Sequence, residues 1–254
     1  MCLCKINSTR VLCLLAALLT FSLNSTADAT TDRSSELPFF AIADVWPWGY
    51  DDDGQPAGLL VTLTDRLLLE AELEARVELR PHLRAINGIA DGTADFAYLF
   101  AAPTLNPDAI SLGIIIESFT LLTVLAVPAQ GTPELDDFVG RRVGFIRGTY
   151  YGEVFAEFDA IKIPAEDGAH ALQLLQRGRV DAIVTTDQAV YNAAQRLGIT
   201  ADQFHSSVIT RTQVGHLYLS HLSPYQPYAE PLRQALDRLR EAGFLQQLFN
   251  LPHL

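Results

Sequence analysis

Positively charged residues are scarce in this sequence. Its 254 residues include 18 lysines and arginines against 30 aspartates and glutamates, which gives a formal net charge of −12 at pH 7. Nucleic acids and anionic membrane surfaces are bound mainly through lysine and arginine side chains. We therefore expect no nucleic-acid partner and no role that depends on anionic lipid.

Cysteine is absent beyond residue 13, so we expect no disulfide framework in an exported chain. The cysteines lie in a segment where Lys5 and Arg10 precede an apolar run, residues 11–23, and small residues end at Ala29. This pattern is typical of a secretory signal peptide, and the run is too short to span a bilayer. We expect a periplasmic protein, cleaved near Ala29, whose stability comes from apolar burial.

Motifs for metal, phosphate or nucleophilic chemistry are also missing. "GYDDDG" resembles the start of a calcium loop, but Leu60 stands where that loop requires a glutamate. "GFIRGTYYG" lacks the Gly-Lys-Ser/Thr ending of a phosphate loop, and no two of the scattered histidines have helical metal-ligand spacing. We predict no cofactor, no metal site and no catalytic residues.

The rest of the chain carries two similar series of predicted strands and helices. Strand, helix, strand, helix and strand follow one another in residues 38–100 and again in residues 141–186. This alternation predicts an α/β fold with a mainly parallel sheet and crossover helices in each of two lobes. Each series contains the phrase Gly-x-x-Asp before its last strand, and we interpret Asp95 and Asp181 as turn residues.

The final segment, "YQPYAEPLRQALDRLREAGFLQQLFNLPHL", predicts an amphipathic helix pair that is broken near Gly243 and covers the first lobe. The chain would then cross between the lobes twice, near residues 126–130 and 211–214. The predicted division of the chain is a signal peptide (1–29), a polar leader (30–36), lobe 1 (37–127 plus 215–254) and lobe 2 (128–214).

Five segments in this order resemble the extracytoplasmic solute-binding proteins of ABC importers, in the two-lobed class of polar amino-acid binders known as family 3. They are "DDDGQPAGLLVTLTDRLL", "GIADGTADFAYLFAAPT", "DDFVGRRVGFIRGTYYGEV", "LLQRGRVDAIVTTDQAV" and "LRQALDRLREAGFLQQLF". The resemblance implies a type II periplasmic-binding-protein fold with a two-segment hinge, closing over a ligand between the lobes. It also implies a monomer without enzyme activity that serves a membrane permease or a membrane sensor.

The resemblance implies acidic and aromatic contacts for a small polar or cationic ligand. Asp187 follows "VDAIVTT", where amino-acid binders place an acidic residue that pairs with the ligand's ammonium group; alternatively, Asp187 caps the following helix. Asp44 ends the first predicted strand, where the family often carries a second acidic contact. Trp46, Trp48 and Tyr50 follow at the cleft rim and suit an amine through cation–π attraction, although Trp48 could instead close the core of the first lobe.

Further contacts are implied in the two binding loops. In the first lobe they are Phe100, Ala101 and Thr104. In the second lobe, "RGTYYGEV" would open a helix at Thr149, whose free N–H groups suit an anion, and the implied contacts are Arg147, Thr149 and Tyr150.

The sequence departs from the family at Pro107. Amino-acid binders place an arginine at this position, three residues after the threonine of the first-lobe loop, and it grips the ligand's α-carboxylate. Proline cannot do so, which makes an ordinary α-amino acid a poor candidate. We therefore expect a small, amine-bearing ligand of another kind.

Two other functions stay open at this stage. Some proteins with this fold are exported dehydratases acting on cyclohexadienyl acids, in which a cleft carboxylate such as Asp187 would serve as general acid or base. Such an enzyme must also hold anionic substrates, and the cleft offers only Arg147 and Arg211. A partner-binding signalling protein with a degenerate cleft is the other alternative.

Overall fold

The computed structural model of the protein describes residues 36–105, 107, 109–126 and 131–249. The predicted signal peptide and all but the last residue of the predicted leader lie outside these residues. Among the described residues, no helix has the length and apolar character needed to cross a membrane.

The first lobe is built on three parallel strands, as the sequence predicts. They are β1 (Phe39–Ala43), β4 (Arg76–Arg80) and β5 (Phe96–Phe100), and β1 lies between the other two. A short hairpin, β2 (Tyr50–Asp52) and β3 (Gln55–Ala57), follows β1. The helices of this lobe are α1 (Leu59–Ala71), α2 (His82–Asp91) and, from the end of the chain, α6 (Ala229–Glu241) and α7 (Phe244–Phe249).

The second lobe repeats this plan. Its parallel strands are β7 (Arg142–Ile146), β8 (Ile161–Ala165) and β9 (Ala182–Thr186), with β7 in the middle. Its helices are α3 (Glu153–Glu157), α4 (Gly168–Gln176) and α5 (Asp187–Leu197). Helix α3 is shorter than predicted, because residues 149–152 form a loop and the helix begins only at Glu153.

Two long antiparallel strands join the lobes into one eight-stranded sheet, in the order β4-β1-β5-β10-β6-β9-β7-β8. These strands are β6 (Ala109–Leu125) and β10 (Phe204–Ser220). Near β5, residues 109–117 of β6 pair with residues 214–220 of β10; near β9, residues 120–125 pair with residues 204–210. The pairing register shifts between these halves, so the two strands form the two-segment hinge. The exact lobe boundaries at residues 127 and 214 stay a prediction.

Helix α6 packs on the first-lobe sheet through leucines that lie on one of its faces. In α6, Leu232, Leu236 and Leu239 recur at helical spacing and are completely or almost completely buried against the first-lobe sheet. On that sheet face Phe40 and Phe96 stack with ring centroids 4.6 Å apart. Burial of each such side chain contributes about 1.5–3 kcal/mol, which is how this lobe is held together without disulfides.

The repeated Gly-x-x-Asp phrase has the same structural role in both lobes. The Asp95 carboxylate accepts a hydrogen bond from the backbone N–H of Phe39, at the start of β1, over 2.8 Å. The Asp181 carboxylate accepts one from the N–H of Arg142, at the start of β7, over 3.0 Å, and also pairs with that arginine's side chain. The guanidinium of Arg142 lowers the pKa of Asp181. Each aspartate thus joins the last strand of its lobe's series to the first.

Candidate functional site

A mainly apolar cavity lies between the lobes, at the carboxyl ends of their parallel strands. Its volume is about 60 Å³. Lobe 1 contributes Trp48, Tyr98 and Ile116 to its walls, and lobe 2 contributes Ile146 and Ala189. Within the part of the chain that the structure describes, no lining residue carries a carboxylate, a lysine or an arginine.

A second and larger cavity adjoins the first. Its volume is about 350 Å³, and it lies between α2, the loop after β5 and the loop after β7. Four residues line both cavities: His82, Leu99, Phe100 and Thr149. A cavity of this size accommodates a small organic molecule, since a 150 Å³ apolar cavity is enough for benzene.

Two tyrosines that line the smaller cavity have phenol groups that are already hydrogen-bonded within the protein. The Tyr98 hydroxyl oxygen accepts a hydrogen bond from the Thr64 hydroxyl over 3.1 Å, and the Tyr151 hydroxyl oxygen accepts one from the N–H of Ile146 over 3.3 Å. Burial raises the pKa of both tyrosines, so both stay neutral. Neither provides a charge for a ligand.

His82 carries a buried ring nitrogen that has no hydrogen-bond partner in the described part of the chain. Its Nδ1 is buried and has no hydrogen-bond partner among the described residues. Its Nε2 lies 3.5 Å from the Thr149 hydroxyl of the opposite lobe. Burial lowers the pKa of His82 from 6.5 to about 4, so the ring is neutral at pH 7.

Five of the predicted site residues line these cavities. Phe100 and Thr149 line both, Trp48 lines the smaller one, and Thr104 and Tyr150 line the larger one. Trp48 also packs against Phe249 of α7 with ring centroids 5.9 Å apart, and its contact with a ligand stays a prediction.

Asp187 lies beside the cleft, and its side chain is hydrogen-bonded to the hinge strand β6. Its Oδ1 accepts hydrogen bonds from the Ser118 hydroxyl, from the N–H of Phe119 over 3.2 Å and from the N–H of Gln188 over 2.8 Å. Asp187 is also not the N-cap of α5: the Thr186 side chain caps this helix, and Asp187 is the first residue of its first turn. Asp187 is not among the residues that line the two cavities.

Four other predicted residues lie outside the cavity walls. Asp44 is exposed after β1, Tyr50 belongs to the hairpin, and Arg147 is exposed after β7. The N–H of Ala101 donates a hydrogen bond to the Val214 carbonyl of β10 over 2.9 Å. Their roles in ligand binding stay predictions.

Trp46 makes a contact that the sequence could not indicate. The Arg196 guanidinium of α5 lies 5.0 Å from the centre of its ring, across the gap between the lobes, and also lies 3.6 Å from the Asp167 carboxylate. A second contact across the gap runs from the Gln188 amide to the Phe249 carbonyl over 3.0 Å. The structure therefore has the lobes closed on each other.

The loop after β7 differs from the predicted helix start. The N–H of Thr149 donates to the Ile146 carbonyl over 3.2 Å, so it is not available to an anion. Gly148 precedes it with φ of 87°, and a Cβ atom there would come within 2.8 Å of the His82 ring. The loop thus needs glycine in order to approach α2 closely.

Sequence reasoning missed His82, although a usable signal was present. His82 comes two residues after the end of β4, at the carboxyl end of a parallel strand, where open α/β sheets bind their ligands. Asp44 after β1 was proposed instead from the family resemblance. Tyr98, Ile116 and Tyr151 were also missed, and no local pattern distinguishes them from core residues.

Neither a protein-family model nor a curated protein matches this sequence. Solved structures do match. The GluR0 ligand-binding core from Nostoc punctiforme in complex with L-glutamate is 18% identical and covers 84% of this chain and 97% of its own, with a TM-score of 0.70. An ancestral arginine-binding protein bound to arginine is 18% identical, with coverage of 84% and 96% and a TM-score of 0.65.

A histidine kinase sensor domain with similarity to periplasmic binding proteins also matches, at 20% identity, with coverage of 84% and 93% and a TM-score of 0.65. At these identities the likeness establishes the fold alone. The chain has the two-lobed, type II periplasmic-binding-protein fold, with a mainly parallel sheet in each lobe and a hinge of two strands.

Proposed function

We propose that the protein binds a small molecule between its lobes and closes over it by motion at the β6–β10 hinge. The observation that carries this proposal is the pair of adjoining cavities whose walls come from both lobes. A ligand there would contact both lobes only when they are closed, so its binding energy would favour the closed form. Two of the structural neighbours are bound to glutamate and to arginine, which supports a binding role.

The ligand we propose is mainly apolar and uncharged. The sequence-based expectation of an amine depended on Asp44 and Asp187, and neither belongs to the described cavity walls. A buried ammonium group needs an opposing charge, because its desolvation otherwise costs several kcal/mol. An aromatic or aliphatic molecule with few polar groups fits the walls better.

The use of such binding depends on where the protein acts. We propose an extracytoplasmic, monomeric ligand-binding protein that delivers its ligand to a membrane permease or presents its closed form to a membrane sensor. The neighbours include both a binding protein and a kinase sensor domain, which supports either use. The dehydratase alternative needs a carboxylate in the cleft, whereas none of the described residues that line the two cavities carries one.

A thermal-shift screen tests the proposal. The protein, freed of copurified ligand by unfolding and refolding, is screened against uncharged aromatics and alcohols, amines, amino acids and carboxylic acids. A ligand at 100 times its Kd adds about 2.7 kcal/mol to the free energy of unfolding, which raises the melting temperature visibly. We expect the largest shifts among the uncharged compounds. Shifts confined to amines or amino acids would contradict the ligand class.

A cavity-filling variant shows where such a compound binds. Ala102→Trp places an indole in the larger cavity, and Ala156→Trp makes the same change at an exposed position of α3. The shift should disappear in the first variant and persist in the second. Equal shifts in both variants would place binding elsewhere and refute the proposed site.

A further inference from the structure

We propose that His82 selects the ligand, through one hydrogen bond from its neutral ring to an uncharged polar group on an otherwise apolar molecule. This inference rests on the proposed function, because it assumes that the cavities hold the ligand. It adds a residue that the sequence did not indicate, and it narrows the ligand to molecules with a suitably placed hydroxyl, amide or ring N–H.

The position of the ring carries the argument. His82 begins α2 and lines both cavities, so a molecule that occupies either one meets its ring. One edge of the ring faces the second lobe: Nε2 lies 3.5 Å from the Thr149 hydroxyl, and Cδ2 faces Gly148. These contacts hold the ring in place and leave the opposite edge, with Nδ1, to other partners.

Nδ1 has no such partner among the described residues. A buried polar atom without a hydrogen bond destabilises the folded protein, and such atoms are rare in native proteins. Two other buried side chains share this state, Thr120 and Thr185, but they lie on β6 and β9 and line neither cavity. Of the three side chains, only His82 belongs to the cavity walls.

The partner of Nδ1 should be uncharged. Burial alone accounts for the lowered pKa of His82, about 4, so no neighbouring carboxylate draws a proton to the ring. The cavity walls beside it from α2, β5 and the loop after β7 include Ile86, Leu99, Phe100 and Thr149, none of them charged. The tautomer sets whether Nδ1 accepts or donates, and in either case it offers one bond to a neutral group.

The test compares two probes of the same shape, p-cresol and p-xylene, which differ by a hydroxyl in place of a methyl group. Kd is measured for each by calorimetry with the wild-type protein, His82→Phe and His82→Gln. The quantity of interest is the ratio of the two Kd values, because comparing ratios between variants removes the difference in hydration of the probes. His221→Phe, the same change at an exposed histidine, is the matched control.

We expect the preference for p-cresol over p-xylene to be about tenfold larger in the wild-type protein than in His82→Phe. His82→Gln should retain part of it, and His221→Phe all of it. Addition of p-cresol, but not p-xylene, should also move the ¹⁵N resonance of His82 Nδ1, which a merely structural role would not do. Circular dichroism establishes that each variant is folded.

The outcomes separate the two proposals. If both probes bind and the preference is the same in the wild-type protein and His82→Phe, the role of His82 is wrong and the binding function stands. If neither probe, nor any compound of the thermal-shift screen, binds to the wild-type protein, the proposed function fails and this inference fails with it. An equal loss of preference in His221→Phe would also refute a specific role for His82.

Discussion

Acidification should destabilise the protein through His82. Burial lowers the pKa of this side chain in the folded protein to about 4, whereas an unfolded chain binds the proton near pH 6.5. Between these values the unfolded chain carries a proton that the folded protein excludes. Falling pH therefore favours unfolding in this window, and above pH 6.5 the contribution is absent.

The size of this effect follows from the two pKa values. Each unit of difference corresponds to about 1.4 kcal/mol, so the contribution of His82 to the free energy of unfolding falls by about 2 kcal/mol at pH 5 and about 3 kcal/mol at pH 4, relative to pH 7. This is a large share of the 5–15 kcal/mol that is typical of a folded domain.

Urea unfolding of the wild-type protein and of His82→Phe at pH 7, 6, 5 and 4, followed by tryptophan fluorescence, measures this effect. Other groups, mainly carboxylates, titrate in the same range, but they contribute equally to both proteins and cancel in the difference. The wild-type protein should lose stability relative to the variant as the pH falls. A difference that stays within about 0.5 kcal/mol from pH 7 to pH 4 would show that His82 is protonated in the folded protein and would refute the reasoning.

Three further substitutions test the closed structure. Asp187→Ala removes the acceptor of three hydrogen bonds at the hinge. It should lower the free energy of unfolding, measured in urea, by about 1–2 kcal/mol and leave the ligand Kd unchanged. Lost binding with normal stability would instead favour the predicted pairing of Asp187 with a ligand ammonium group. Gly148→Ala places a methyl group 2.8 Å from the His82 ring at a φ of 87°, so we expect weaker ligand binding by calorimetry, and unchanged affinity would contradict this close approach. Trp46→Ala removes the contact with Arg196 across the lobes, which contributes about 0.5–1 kcal/mol to the closed form. The radius of gyration measured by X-ray scattering should therefore rise. An unchanged radius would mean that this contact does not hold the lobes together.

Element order and fold class could be predicted from the sequence because they depend on local patterns. The leucine spacing of α1 and α6, the short apolar strands, and glycines at helix ends such as Gly92 each act within a few residues. Two such series in tandem predict two α/β lobes, and the structure has them. The sequence did not indicate that β6 and β10 run through both lobes, since pairing between distant strands leaves no local trace.

The chemistry of the cleft was decided by the tertiary structure. Asp187 occurs where a ligand contact is expected, but its Oδ1 accepts hydrogen bonds from hinge residues almost 70 positions away in the sequence. His82 follows a strand as Asp44 does, and only packing buries its ring while leaving Nδ1 without a partner. The charge and hydrogen-bonding capacity of a side chain depend on its neighbours in space, and those are set by long-range packing that no local sequence pattern encodes.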